Sequence, residues 1–316
     1  MSAELVLGTM TFGDTVDAAG AAAMLDLAEE AGITMLDTAN VYAGGACEEI
    51  LGELLAGGGR RDRFRIASKA GMPHEDAAGA APLSAGALRR SVEGSLRRLR
   101  TDRLDLFYLH QPDRDTEIVE TLDTLAALAA EGLIREVGVS NYPAWRIAEL
   151  RAEARLRGAP VPAVSQSLYN LIARRVEEEY AEYAASAGIS TIVYNPLGGG
   201  LLTGRHRFEE PPEHGRFGDS RLAAMYRERY WDRQLFAAVT ELTVVADGLG
   251  VPLPELALRW LMDRPLVNGV LVGSSTLGHL RANITAARRG PLPAEALDRI
   301  DAVWQTLRGP APAYHR

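Results

Sequence analysis

The chain of 316 residues carries 34 lysines and arginines against 42 aspartates and glutamates, a formal net charge of −8, with 47% hydrophobic residues. That is enough apolar material for a full core, and an acidic chain without basic clusters beside aromatics excludes nucleic acid and anionic membrane as expected partners. Cys47 is the only cysteine, so no intramolecular disulfide is possible. Together with an N-terminus lacking a leader pattern, and no run approaching the roughly 18 apolar residues of a membrane span, it predicts a soluble cytoplasmic protein.

In chain order, short apolar runs alternate with amphipathic ones. A strand at 5–8 precedes a helix at 18–31, and a strand at 35–39 precedes a helix at 48–56. A third strand runs through Ile66 and Lys69 and is ended by Gly71; the helix at 84–99 follows, with Ser84 as its N-cap. Strands at 104–110, 136–140, 163–168, 191–194 and 270–272 alternate with helices at 117–130, 144–157, 176–187, 234–249 and 277–287. Eight such units predict an α/β fold, a single (β/α)₈ TIM barrel over residues 1–316. A doubly wound sheet is the alternative, and the lack of Gly-x-Gly-x-x-Gly after the first strand counts against its nucleotide-binding form. Two segments break the pattern. The stretch at 198–233 is too long for an ordinary connection and, with its aromatic end Tyr226 to Trp231, is expected to be a lid loop. A last helix at 294–307 leads into a Pro-rich tail ending at Arg316.

The chain holds a single lysine, Lys69; arginines meet every other demand for positive charge. A lysine near the end of an apolar strand needs a partner for its charge, and unlike an arginine it shifts its pKa readily on desolvation. In a barrel the C-terminal strand ends carry the active site. Asp37, Tyr42, Lys69 and His110 fall at or just beyond the ends of the second, third and fourth strands. Singly, each has a bland explanation as a cap, a loop aromatic or a satisfied histidine. Jointly they make chemical sense: an ammonium lowers the pKa of a nearby phenol, a buried carboxylate keeps the ammonium charged, and a neutral imidazole orients a carbonyl. His206 and His214 lack metal-ligand spacing, so no metal is expected.

Leu36-Asp37-Thr38-Ala39 with Tyr42, Ser68-Lys69 and Leu109-His110 resemble the catalytic tetrad of the aldo-keto reductases. Within that family, Tyr194 to Arg205, the Gly215-Arg216-Phe217 and Met225 to Trp231 stretches and the terminal Tyr314-His315-Arg316 resemble the aflatoxin-aldehyde (succinic-semialdehyde) reductase branch. The resemblance implies reduction of aldehydes and ketones to alcohols by hydride transfer from NADPH, with Tyr42 as proton donor, Lys69 and Asp37 assisting and His110 orienting the carbonyl. It implies cofactor contacts from Met10, Asp37, Ser140, Asn141, Gln166, Tyr194, Asn195, Pro196, Leu197, Gly199, Leu201, Gly204, Arg205, Gly273, Ser274, Ser275, His279 and Asn283. It further implies substrate contacts from Tyr42, His110, Arg227, Arg229, Trp231 and Arg316, and a homodimer.

Two departures matter. The run Gly273 to His279 has no permanent cation for the 2′-phosphate of NADPH, so NADH stays an alternative, with Arg281 or His279 as substitutes. The N-terminal hairpin usual in the family has no counterpart before Leu5. Competing readings are a class I aldolase using Lys69 as a Schiff base, a nicotinamide-sensing regulatory subunit, and a reductase of a nucleotide-linked keto-sugar. A short-chain dehydrogenase needs Tyr-x-x-x-Lys, and Arg65 stands four residues before Lys69.

Overall fold

Strand alternation divides this chain's residues between a narrow bore and an outer layer. The computed structural model describes residues 3–311. Eight parallel strands, β1 (Glu4–Gly8), β2 (Met35–Asp37), β3 (Arg65–Ala70), β4 (Leu104–Leu109), β5 (Ile134–Ser140), β6 (Val164–Leu168), β7 (Ser190–Tyr194) and β8 (Gly269–Val272), pair in chain order, and β8 closes on β1. This is the expected (β/α)₈ TIM barrel. Around it lie α1 (Ala18–Glu30), α2 (Ala46–Leu55), α3 (Ala85–Leu99), α4 (Ile118–Ala130), α5 (Ala144–Arg157) and α6 (Tyr180–Ala187). They are followed by α7 (Ala223–Tyr230), α8 (Arg233–Gly248), α9 (Leu253–Met262), α10 (Leu277–Ala287) and α11 (Ala294–Arg308).

Side chains alternate across each strand, and the bore fills in layers. A middle layer of Val6, Met35, Ala67, Leu106, Val164, Ile192 and Leu271 packs as its own apolar cluster, joined by Tyr108 above. The opposite faces, with Leu7, Leu36, Ile66, Phe107, Leu109, Val137 and Val139, join the larger core under the helices. One step further toward the strand C-termini, the inward positions change from apolar to polar: Asp37, Lys69 and Gln166, all nearly or fully buried. At the other end, Arg65, the first residue of β3, and Glu136, the third of β5, form a half-exposed ion pair at 3.2 Å.

Three expectations need correction. The 198–233 segment is no structureless loop: a 3-10 turn (Gly198–Thr203) and α7 lie within it. Only Tyr226 and Tyr230 of α7 are buried, four residues apart, so the segment shows too little apolar periodicity to announce a helix. Between α8 and β8 stands α9, which starts after Pro252 and is buried on nearly every side. The helix expected at 176–187 is interrupted: Arg175–Glu177 is a separate 3-10 turn, and Glu179 leaves helical geometry at φ −142°. Arg174 fixes that turn by donating to both Glu177 carboxylate oxygens (2.9 and 3.0 Å) and to Asp301 (2.7 Å), with its guanidinium over the Trp260 ring. Among the described residues no single helix is long and apolar enough to cross a membrane, and the apolar pair α8 and α9 meets at 88°.

Candidate active site

The polar layer closes on one ammonium. Lys69 is fully buried, and its Nζ donates to Asp37 Oδ1 (2.5 Å), to the Thr38 carbonyl (2.8 Å) and to Tyr42 Oη (3.2 Å). Three acceptors use all three N–H donors of the ammonium. Burial pushes the lysine toward neutrality, but the Asp37 carboxylate and the Tyr42 oxygen outweigh it, so its pKa is raised and the charge is held. Asp37 is held in turn from across the bore by Gln166, whose Nε2 donates to Oδ2 at 2.7 Å.

Local backbone bonds carry these groups past the strand ends. Thr38 N–H donates to the Ala67 carbonyl and Asn40 N–H to the Lys69 carbonyl, so the chain follows β3 for several residues beyond β2. It then turns at Tyr42, where the left-handed Ala43 and Gly44 lead into α2. His110 N–H bonds to the Ala70 carbonyl one residue beyond β4. The Tyr42 and His110 rings meet edge to face, 6.0 Å apart.

The electrostatics differ in one respect from the sequence expectation. Burial raises the Tyr42 phenol more than Lys69 lowers it, so the hydroxyl stands above its ordinary value and is fully protonated at neutral pH. Burial first, and the Lys69 charge second, lower His110 to about 3, which makes it a neutral imidazole. Cys47 is buried between Thr9 and Thr38, and burial pushes its thiol up to about 11, so it is no nucleophile.

A second polar group lines the mouth beside the first. Asn141, in left-handed backbone (φ 61°), donates to the His110 carbonyl at 2.9 Å and to Ser140 Oγ at 3.1 Å. Its Oδ1 accepts from the Tyr194 hydroxyl at 2.6 Å, which fixes the half-buried Tyr194 ring at the end of β7. Asn195, also left-handed (φ 55°), follows, then Pro196, Leu197 and the turn holding Gly199, Leu201 and Gly204. Met10 lies half-buried just beyond β1, while Arg205, Gly273, Ser275 and His279 are exposed and Ser274 and Asn283 half-buried in the segments after β7 and β8. Thr276 caps α10 by accepting from His279 N–H at 3.2 Å.

Substrate candidates divide. Arg227 is exposed, but its Nε donates to the Phe217 carbonyl within the 198–233 segment. Arg229 faces Tyr194, where its charge opposes the burial that raises that phenol. Trp231 donates Nε1–H to the Phe208 carbonyl at 3.1 Å and packs its ring on Phe217 and on Phe236 of α8, so these aromatics hold the 198–233 segment together and against α8. Arg316 lies outside the described residues. Among those described, no group of three or more His, Cys, Asp or Glu could hold a metal ion.

Sequence reasoning missed the Thr38 carbonyl, because backbone acceptors carry no residue-type signal. It also missed Tyr108, whose ring lies 5.9 Å below Lys69 Nζ; an inward position one step before His110 was the available clue. Asn170 ties the Asn195 carbonyl (2.9 Å) to the Tyr230 hydroxyl of α7 (3.3 Å).

The fold and this buried phenol–ammonium–carboxylate group at the strand C-termini define a (β/α)₈-barrel enzyme. The Aldo/keto reductase family profile matches residues 4–305. The chain is 37% identical to rat (Rattus norvegicus) "Aflatoxin B1 aldehyde reductase member 2" over 98% of its length and 87% of the relative. It is 37% identical to the human "Aldo-keto reductase family 7 member A3" over 98% of this chain and 96% of that one. A "Probable voltage-gated potassium channel subunit beta" from rice is 31% identical over 94% of this chain and 91% of the relative. The chain belongs to the aldo/keto reductase family and is an oxidoreductase.

Proposed function

We propose that this chain reduces aldehydes and ketones to alcohols with a reduced nicotinamide, NADPH being the expected donor, and prefers aldehydes that carry a second, anionic group. The observation that carries the reading is the 3.2 Å contact between Lys69 Nζ and Tyr42 Oη, in a pocket where Asp37 holds the ammonium charged.

The mouth suits a dinucleotide. The Tyr194 ring, pinned by Asn141, offers a flat face beside the Ser140 and Asn141 amide and hydroxyl groups. The glycine-rich turn after Asn195 lets backbone approach a pyrophosphate, and the capped N-terminus of α10 suits a phosphate. Ser140, Asn141 and Tyr194 would hold the nicotinamide end, with Gln166 beside it, and Arg205, Ser274, Ser275, His279 and Asn283 the phosphate end. When bound, the nicotinamide supplies the hydride.

This chain's residues do the rest. A carbonyl oxygen within reach of Tyr42 Oη receives the phenolic proton as negative charge develops on it. Lys69 steadies the phenolate left behind, being already in contact with that oxygen. Neutral His110 donates a hydrogen bond that fixes the carbonyl's direction without competing as an acid. Arg229, which interacts with Tyr194, would meet a carboxylate on the substrate.

The test is oxidation of NADPH, then NADH, with succinic semialdehyde, 4-nitrobenzaldehyde, a 1,2-dione and a neutral aliphatic aldehyde. Turnover favouring the acidic aldehyde, lost in Arg229→Gln and retained in Arg227→Gln, is the expected result. Tight NADPH binding without turnover on any of the four would overturn the reading and favour a nicotinamide-sensing role, the class suggested by the channel-subunit relative.

A further inference from the structure

Tyr42 does not sit on a strand. Its position relative to Lys69 depends on a loop, and the fold holds that loop from both sides with one arginine. Arg98, from the last turn of α3, is mostly buried and divides its guanidinium between two carboxylates. Its Nε donates to Glu48 Oε2 at 2.8 Å; Nη1 and Nη2 form a fork on Asp76 at 3.2 and 2.8 Å. Glu48 is completely buried in the first turn of α2, just after the Tyr42 turn, and its Oε1 accepts from Ser68 Oγ at 2.5 Å. Ser68 is the neighbour of Lys69 on β3, facing outward where Lys69 faces in. Asp76 accepts a longer bond from Asn40 Nδ2 at 3.4 Å, two residues before Tyr42, and lies 2.9 Å from His74 Nδ1.

Arg98 thus holds Glu48 after Tyr42 directly and Asn40 before it through Asp76, while Glu48 links the same charge to the lysine's strand. Neighbouring glycines make the fit possible. A Cβ at Gly94 would lie 2.7 Å from Asp76 Oδ1, one at Gly45 3.0 Å from Arg98 Cδ, and one at Gly52 2.1 Å from the Arg98 carbonyl oxygen. Distances under 3.0 Å are essentially never found for real Cβ atoms, so α2 approaches the α3 backbone as closely as it does only because Gly52 lacks one, Gly94 leaves the Asp76 carboxylate its place, and Gly45 leaves a tight fit for the Arg98 side chain. Burying two carboxylates and a guanidinium is costly unless all are paired, so the arrangement is poor as mere surface decoration.

We infer that Arg98 is a positioning residue for the reaction: with Glu48 and Asp76 it fixes the Tyr42 turn against β3 and so sets the Tyr42–Lys69 contact. The inference rests on the carbonyl-reductase reading for its kinetic arm only. The variants are Arg98→Met, Arg98→Lys and the isosteric Glu48→Gln, the last guarding against failure of the others to fold. In folded Arg98→Met, kcat for carbonyl reduction falls by about 10- to 100-fold, as expected for a displacement near 1 Å. Kd for NADPH stays within about twofold, since the residues proposed to hold its two ends lie elsewhere, and KM for the carbonyl moves much less than kcat, because the proton passes from Tyr42 only in the transition state. Arg98→Lys regains part of the loss, because an ammonium reaches one carboxylate and cannot fork onto the second. Glu48→Gln shows the same pattern more weakly. Deuterium uptake rises in residues 38–50 and 72–78 and stays unchanged in β4 to β6.

Near-normal kcat in the folded variants would overturn the inference. So would a joint loss of kcat, NADPH affinity and melting temperature with uptake raised throughout, which is what a merely structural role gives. If the wild type reduces no carbonyl, the function fails by that observation, and the uptake pattern decides the clamp alone: rise confined to those segments supports it, and no change or a uniform rise sinks it.

Discussion

Gln166 and Asp37 join strands that face each other across the bore: β6 donates an amide to a β2 carboxylate at 2.7 Å, with both side chains buried. Asp37 thereby has both oxygens occupied, one by Lys69 and one by Gln166. At this buried position an unsatisfied carboxylate oxygen costs about 1–3 kcal/mol or more. Gln166→Leu therefore destabilises the fold by roughly that amount and lowers kcat, because an Asp37 with one donor holds the ammonium less well. Gln166→Glu is worse, since two carboxylates at that distance cannot both ionise. Urea midpoints and kcat for the two variants check the order; a Leu variant as stable and as fast as wild type would reject it.

Tyr42→Phe should abolish turnover and leave NADPH affinity nearly intact, because in the proposed reaction the phenol's hydroxyl is the acid and its ring is not. Lys69→Arg, though it keeps the charge, should lose orders of magnitude in rate: a planar guanidinium cannot place one nitrogen among Asp37, the Thr38 carbonyl and Tyr42. Lys69→Met leaves Asp37 buried and unpaired, a loss of about 3–5 kcal/mol by analogy with broken buried pairs. Adding Asp37→Asn should return most of that stability without returning activity. Steady-state rates and denaturation of the four proteins make the cycle.

Much of this was legible in the sequence, for physical reasons. Strands of a parallel barrel are buried on both faces, so Leu104–Leu109 or Gly269–Val272 stand out as short apolar runs. Lys69 stood out because it is the chain's single lysine, Asp37 and His110 because they break apolar runs at strand ends, and Tyr42 because it follows on the loop just beyond Asp37. What escaped has no such signature. The Thr38 carbonyl is backbone, and α7 hangs on two tyrosines. The Arg98–Glu48–Asp76 group joins three separate segments whose charges, seen one at a time, resemble any solvated helix face. Net pKa direction at Tyr42 also escaped, because the ammonium was visible and the depth of burial was not.

Gly138 and Tyr108 stand opposite in the β4–β5 register, and a Cβ on Gly138 would lie 2.6 Å from two ring carbons of Tyr108. The ring is fully buried, below Lys69, and has nowhere to move in the packed bore. Gly138→Ala should therefore destabilise by about 1–3 kcal/mol, the usual cost of overpacking. Pairing it with Tyr108→Val removes the clash, and the double variant should be more stable than the sum of the two singles predicts. Additive losses would mean that the glycine serves the backbone and not the ring. Thermal or urea unfolding of the three variants distinguishes the cases.

His110 offers a test by pH, with the sign fixed by its environment. Burial and the Lys69 charge lower its pKa to about 3 in the folded chain, against roughly 6.5 when unfolded. Between those values the unfolded state binds the extra proton, so stability contributed by the neutral imidazole is complete above pH 6.5 and is lost as pH falls toward 3. At pH 5 the loss from this residue is roughly 2 kcal/mol relative to pH 7. Other carboxylates also titrate there, which is why the measurement is a comparison: His110→Gln should lose less stability than wild type between pH 7 and 5, by about that amount. The same neutrality makes a kinetic statement. In wild type, kcat should show no ionisation near pH 6.5 that disappears in the variant, because the imidazole proposed to orient the carbonyl is already neutral across that range. A limb near 6.5 that depends on His110 would show that the imidazole is protonated in the working enzyme, and the orienting role would have to be replaced by one in which His110 gives up a proton.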